Sequence, residues 1–255
     1  MKILTKIFFI FILLYTTNLI AREQGQTEIT TEDGVEVYQD EKYYLLKQNV
    51  KIVSDNFILN ADNVKIDFDK SLYDIISLNA NGNVKFNSSE FDMKGSGEKL
   101  ELVINIQDLT IEGNNSILIT QDLEMQSSGS IKVNNLSGSF FLNGSNSKLV
   151  SDNILIKAES IDGLFSNELD QKEISLLKVK DQKISYIKNN DTEMYAKKIN
   201  FDNKTSIIEL IDDVSIIRNG EKITGDYGTL DTRNNSYKIK SNDKTKVKVI
   251  IQNNE

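Results

Sequence analysis

The sequence contains no proline, cysteine, histidine or tryptophan. Without cysteine there is no disulfide framework and no thiolate nucleophile. Without histidine or cysteine, zinc sites of the usual kind are excluded, and so are Ser–His and Cys–His nucleophile pairs. Carboxylates, lysine, arginine, tyrosine and hydroxyls are all that remain for chemistry. Nothing in the chain calls for a metal or a cofactor. Basic charge is in the minority, with 30 Lys and Arg against 38 Asp and Glu, a net charge of −8 and a pI near 4.9. A nucleic-acid binder needs a basic face, so that class is disfavoured. No segment sustains a helical period. The most ambiguous stretch is Leu164 to Leu177, where Ser166 to Glu173 reads as a helical turn or a long loop.

The one long apolar run is at the start. Lys2 and Lys6 precede Ile7 to Tyr15, then come Thr16 to Ala21 and the charged pair Arg22-Glu23. A basic start, a short apolar segment and a small residue before polar sequence describe a secretory signal peptide. The boundaries that follow are 1–21 signal peptide, 22–34 flexible lead-in, 35–252 folded domain and 253–255 tail. A retained membrane anchor is the alternative, although a span needs about 20 apolar residues. The destination is outside the cytoplasm.

The chain has 255 residues, of which 39% are hydrophobic, enough for one large β domain or two smaller ones. From Val35 onward the signal is period-two alternation rich in β-branched and aromatic residues. One pattern recurs: apolar, any, small, two of any type, apolar, any, apolar. It appears as Leu59 to Ile66, Met194 to Phe201 and Ile223 to Leu230. Looser copies place the small residue at Gly95, Ser128 and Ala158, beside Ala61, Ala196 and Gly225 in the strict ones. At each small residue the alternation changes phase. In a plain strand that slip would turn the second half outward. One extra residue, as a bulge or corner, keeps both halves facing inward. Hairpin tips are signalled at Ser54-Asp55-Asn56, Asn87-Ser88-Ser89, Ser127-Ser128-Gly129, Asn189-Asn190-Asp191 and Asn219-Gly220, and a second row at Asp69-Lys70-Ser71, Asp202-Asn203-Lys204 and Thr232 to Asn235. The expectation is an all-β meander of bent antiparallel hairpins, stacked so that they share one apolar inner face.

Asn49 to Ile52, Leu59 to Asp67 and Ala80 to Phe86 resemble the OstA-like domain of the LptA family of lipopolysaccharide-export proteins, and Asp213 to Asp231, with Gly225-Asp226, resembles that domain's later repeat. The resemblance covers about Val35 to Gln252 and is poor from Asn105 to Leu177. It implies a V-shaped antiparallel β-jelly-roll whose apolar interior holds acyl chains. It also implies a periplasmic bridge that joins, by edge-strand pairing, an inner-membrane-anchored component and an outer-membrane component, with head-to-tail self-association of copies. Val35 to Tyr38 is the candidate first edge and Thr245 to Gln252 the last. Lysines alternating outward in the last edge either restrict pairing to an intended partner or keep the terminus soluble.

The candidate ligand-binding residues are Ile52, Leu59, Val64, Ile66, Phe68, Val84, Phe86, Met93, Ile199, Phe201, Ile216, Ile223 and Leu230. Any one of them is equally readable as core. As a set they line a groove if the two halves splay, and the function is then non-enzymatic carriage of lipopolysaccharide. An enzyme is the rival class, since repeated β units also build polysaccharide-cleaving β-helices. Its carboxylates are sought at Asp67-Phe68-Asp69 or Asp212-Asp213, both at turns, where Asp is common for backbone reasons. A passive structural repeat protein with a sealed interior is the third reading.

Overall fold

The computed structural model describes residues 23–151, 154–166, 173–242 and 246–251. The signal-peptide segment 1–21, the Asn167 to Lys172 part of the ambiguous stretch and the 253–255 tail lie outside the described residues. Among the described residues there is no helix. The first ten strands are β1 Glu28–Thr30, β2 Gly34–Tyr38, β3 Tyr43–Val53, β4 Phe57–Phe68, β5 Ile75–Ser88, β6 Met93–Val103, β7 Asp108–Glu112, β8 Ser116–Thr120, β9 Leu123–Ser127 and β10 Ser130–Asn134. The others are β11 Ser139–Ser151, β12 Ile154–Phe165, β13 Ile174–Asn189, β14 Thr192–Asp202, β15 Ile207–Arg218, β16 Glu221–Asp231, β17 Ser236–Lys240 and β18 Lys248–Ile251. They form an 18-stranded sheet.

Every long strand breaks register near its middle, and the sheet folds there into two leaves. The register states how. Between the pairs Lys47↔Asn63 and Val50↔Ala61, Gln48 and Asn49 oppose Asp62 alone. Gly82 and Asn83 oppose Glu98, and Asp212 and Asp213 oppose Asp226, in the same two-for-one fashion. The doubled residues have positive φ, between 49° and 77°. These are bulges, and a bulge bends its strand. The first leaf carries β2, the early halves of β3, β5, β11, β13 and β15, the late halves of β4, β6, β12, β14 and β16, and β7, β10 and β17. The second leaf carries β1, β8, β9, β18 and the remaining halves. All pairings are antiparallel, as the jelly-roll reading requires and a parallel β-helix does not.

The corners fall at Ala61-Asp62, Ser128-Gly129, Ala158-Glu159, Ala196-Lys197 and Gly225-Asp226, where the phase slips put them. Two assignments need correction. Gly95 is not a corner: the bend of β6 is at Glu98, and Gly95 pairs with Phe86 in mid-strand. It lacks a side chain because the Phe86 ring lies on it; an added Cβ would sit 2.5 Å from Cε1. Ser127-Ser128-Gly129 is not a hairpin tip but the corner between β9 and β10, which lie in different leaves. The lead-in also differs in part. Within 22–34, β1 pairs with β3 and sets the apolar Ile29 opposite Ile52, while the Gly25 N–H donates to Asp55 Oδ2 at 2.7 Å.

Candidate functional site

Inward-facing side chains form rows that cross the strands. The row beside the corner, in the first leaf, runs Leu46, Val64, Ala80, Leu100, Ile111, Ile131, Leu142, Ile161, Val179, Ile199 and Leu210. All of these are buried, so the vertex is filled along its whole length. The next row out runs Val37, Tyr44, Ile66, Leu78, Leu102, Leu109 and Val133. Each of those seven lines a groove of about 820 Å³ between the leaves. Ile29, Ile52, Phe57, Phe86 and Met93 line it from the second leaf. The volume is within the range of small-molecule sites.

The groove is open and apolar at its lips. Leu72, Tyr73 and Ile104, at the hairpin tips of the first leaf, line it and are exposed, as does Phe91 at a tip of the second. Tyr73 is 94% exposed and, with Leu72, Ile104 and Phe91, makes the rim of the groove an exposed apolar surface of the kind that marks binding sites. Burial pushes the Tyr44 phenol above its ordinary pKa, so it stays neutral in the groove wall.

The far end of the molecule differs. Leu149, Ile156, Ile187, Met194, Ile208 and Ile216 are sealed. The tips described there include Asn190-Asp191, Asn203-Lys204, Asn219-Gly220 and Arg233-Asn234, and these four carry no large apolar residue. Arg218, at the end of β15 in the second leaf, donates to the Asn235 carbonyl at a first-leaf tip, 2.8 Å away. The leaves are tied together there and splayed at the groove.

Of the residues singled out from sequence, Ile52, Ile66, Phe86 and Met93 line the groove. Leu59, Val64, Phe68 and Val84 lie at the same end but are covered. Leu59 sits between Ile52 and Phe86, Val64 and Val84 lie beside the corners, and Phe68 stacks on Tyr44 at 6.2 Å. Ile199, Phe201, Ile216, Ile223 and Leu230 belong to β14–β16 at the sealed end and do not line the groove. Sequence reasoning missed Tyr44, Leu78 and Leu109. Following the row across partner strands would have found them, because each pairs with a residue of the same row. The lip residues Leu72, Tyr73 and Phe91 carry their own signal: large apolar side chains in hairpin tips, where polar ones are the rule.

The carboxylates considered for catalysis are elsewhere. Asp67 accepts from Ser77 at 2.8 Å and from Lys65 at 2.5 Å, and Asp69 pairs with Lys42 at 3.3 Å. Asp213 and Asp212 sit on a corner, 2.6 Å from Lys197 and 3.8 Å from Lys198. None of these four lines the groove. No cluster of three or more metal-ligating side chains exists among the described residues.

Residues 28–139, a little under half of the chain, match the family model described as LptA/(LptD N-terminal domain) LPS transport protein. Among curated proteins there is no match. A solved structure of LptH, described as the LptA homologous periplasmic component of the conserved lipopolysaccharide transport device from Pseudomonas aeruginosa, is similar at 12% identity over 91% of this chain and 98% of that one. Its TM-score of 0.23 is too low for the likeness to carry an argument.

Proposed function

We propose that this chain, whose residues 28–139 match the LptA/LptD N-terminal domain model, works in lipopolysaccharide transport as a non-enzymatic carrier. Its groove holds lipid A acyl chains, with the headgroup outside the lips. The observation that carries this reading is a coincidence of place: apart from Gly25 and Thr27, every groove-lining residue lies within the matched stretch. The wall is aliphatic and aromatic, so burial supplies the affinity, at about 0.8 kcal/mol for each methylene. A carrier of this kind needs no catalytic group.

The site of action is the periplasm, in keeping with the secretory character of the N-terminus. Pairing with neighbouring export components uses the two ends of the stack. The first end carries Glu28, Glu32, Asp33 and Glu36; the last carries Lys238, Lys240, Lys246 and Lys248. Opposite charges favour a head-to-tail encounter and disfavour like ends meeting. Cysteines introduced along both edges should trap neighbouring chains as disulfides in cells, and failure at every position would remove the edge-pairing claim.

The carrier claim itself is tested by a photo-crosslinker placed at Ile66, Leu78 or Leu102. Lipopolysaccharide should be captured there and not from the outward-facing Lys65 and Lys85. Silence at all three inner positions would contradict it.

A further inference from the structure

We propose that Phe140 is the stopper that ends the groove and thereby fixes the longest acyl chain it accepts; the inference rests on the carrier reading above. The row that lines the first leaf passes from Leu109 on β7 to Val133 on β10, and both line the groove. The next residue of that row is Phe140 on β11, paired with Val133. It does not line the groove and is 2% exposed. Its own partner across the sheet is Gly163 on β12. An added Cβ at Gly163 would lie 2.2 Å from Cζ of Phe140, so the outer end of the ring rests over Gly163 on β12. Phe165 stacks against it, with centroids 4.5 Å apart. The ring is therefore held by Gly163 and Phe165, facing the interior one strand past the last groove-lining residue.

The second leaf closes two strand positions earlier, after β6, so that beyond β6 only the first-leaf row of Leu109 and Val133 continues the groove toward Phe140. Phe86 and Met93 line the groove, whereas Leu118 and Met125 on the following strands are buried and do not. From β2 to β10 the groove crosses seven neighbouring first-leaf segments, six strand spacings or about 29 Å. A chain lying along it from the open end meets the Phe140 ring end-on. Large aromatics are common in the core, but this one occupies the single row position where an open channel turns into packed interior.

The test is competition binding with a homologous series of saturated fatty acids, decanoic to octacosanoic, whose longest members exceed the groove's length, each displacing a fluorescent fatty acid from the full chain. Wild-type affinity should rise about fourfold for each added methylene, up to a limiting length, and then stop rising. Phe140→Ala should move that limit to longer chains. Val133→Phe, which sets a ring one strand nearer the open end, should move it to shorter ones. Phe140→Leu, which keeps most of the packing, should give a smaller shift in the same direction as alanine and decides the matter if Phe140→Ala does not fold. An unchanged limit in folded Phe140→Leu and Val133→Phe would overturn the stopper while leaving the carrier intact. Absence of binding by the wild type at every length would instead overturn the carrier reading, and the stopper with it.

Discussion

Gly163 and Gly225 are both small because another group already occupies the space where a side chain would go. At Gly163 the occupant is the Phe140 ring. Gly163→Ala should lower stability by about 1–3 kcal/mol, the usual cost of overpacking, read as a lower urea midpoint. At Gly225 an added Cβ would lie 2.5 Å from Ile239 Cγ2 and 2.6 Å from the Lys240 carbonyl oxygen. Gly220 meets a different requirement, a φ of +80° in the Asn219-Gly220 turn, which asparagine also adopts. Gly225→Val should therefore lower the melting temperature far more than Gly220→Asn; equal values would contradict the role given to the corner. A sequence cannot separate these uses of a small residue. Gly95 and Gly225 look alike in the pattern, yet Gly95 is a seat for Phe86 and Gly225 is a corner, because the first depends on which side chain lies across the strand pair.

Strand by strand, the corner was the legible feature. A phase slip at a small residue is local and leaves a local trace, so Ala61, Ala158, Ala196 and Gly225 could be read from the chain alone. The role of the residue after each small one is not legible there, because its partner lies on another strand. Asp62 accepts from the Asn83 amide at 3.0 and 3.1 Å, Glu98 from the Asn114 N–H at 3.1 Å, Glu159 from the Gln182 N–H at 3.3 Å, and Asp226 from the Asn242 N–H at 2.8 Å. Lys197 makes an ion pair with Asp213 at 2.6 Å. Each corner thus reaches the next one and stitches the vertex on its outside. Asp62→Ala should cost about 0.5–1.5 kcal/mol for the lost bonds, measured by denaturant unfolding. The outer face of the sealed end has its own cross-strand link. Glu209 accepts from Asn200 at 3.0 Å and from the Tyr227 hydroxyl at 2.7 Å. Those bonds hold its pKa below the ordinary glutamate value. Its contribution is complete above the unfolded-state pKa and is lost as pH falls through the depressed folded one. Glu209→Gln should therefore lose less stability on acidification than the wild type does. Equal slopes of urea midpoint against pH would refute that assignment.

As a whole the molecule has two unlike ends built from one repeat. The alternation that marks inward-facing residues is the same in both, which is why Ile199, Phe201, Ile216 and Leu230 could not be told from Ile52, Ile66 and Phe86 by sequence. What separates them is the distance between the leaves, set by non-local choices: Arg218 bound to Asn235 across polar lips at one end, Leu72, Tyr73 and Phe91 left exposed at the other. The charge at the edges also belongs to this scale. If acidic and basic ends meet, association between copies should weaken as salt rises, because exposed charges are screened within about 8 Å at physiological ionic strength. The central claim is that acyl chains occupy the splayed end and not the sealed one. Photo-crosslinkers at Leu78 and at Phe201 test it directly, since Leu78 and Phe201 lie on one continuous row of the same leaf. Lipopolysaccharide captured in cells from Leu78 and not from Phe201 is the predicted result. Equal capture at both positions, or capture at Phe201 alone, would contradict the account.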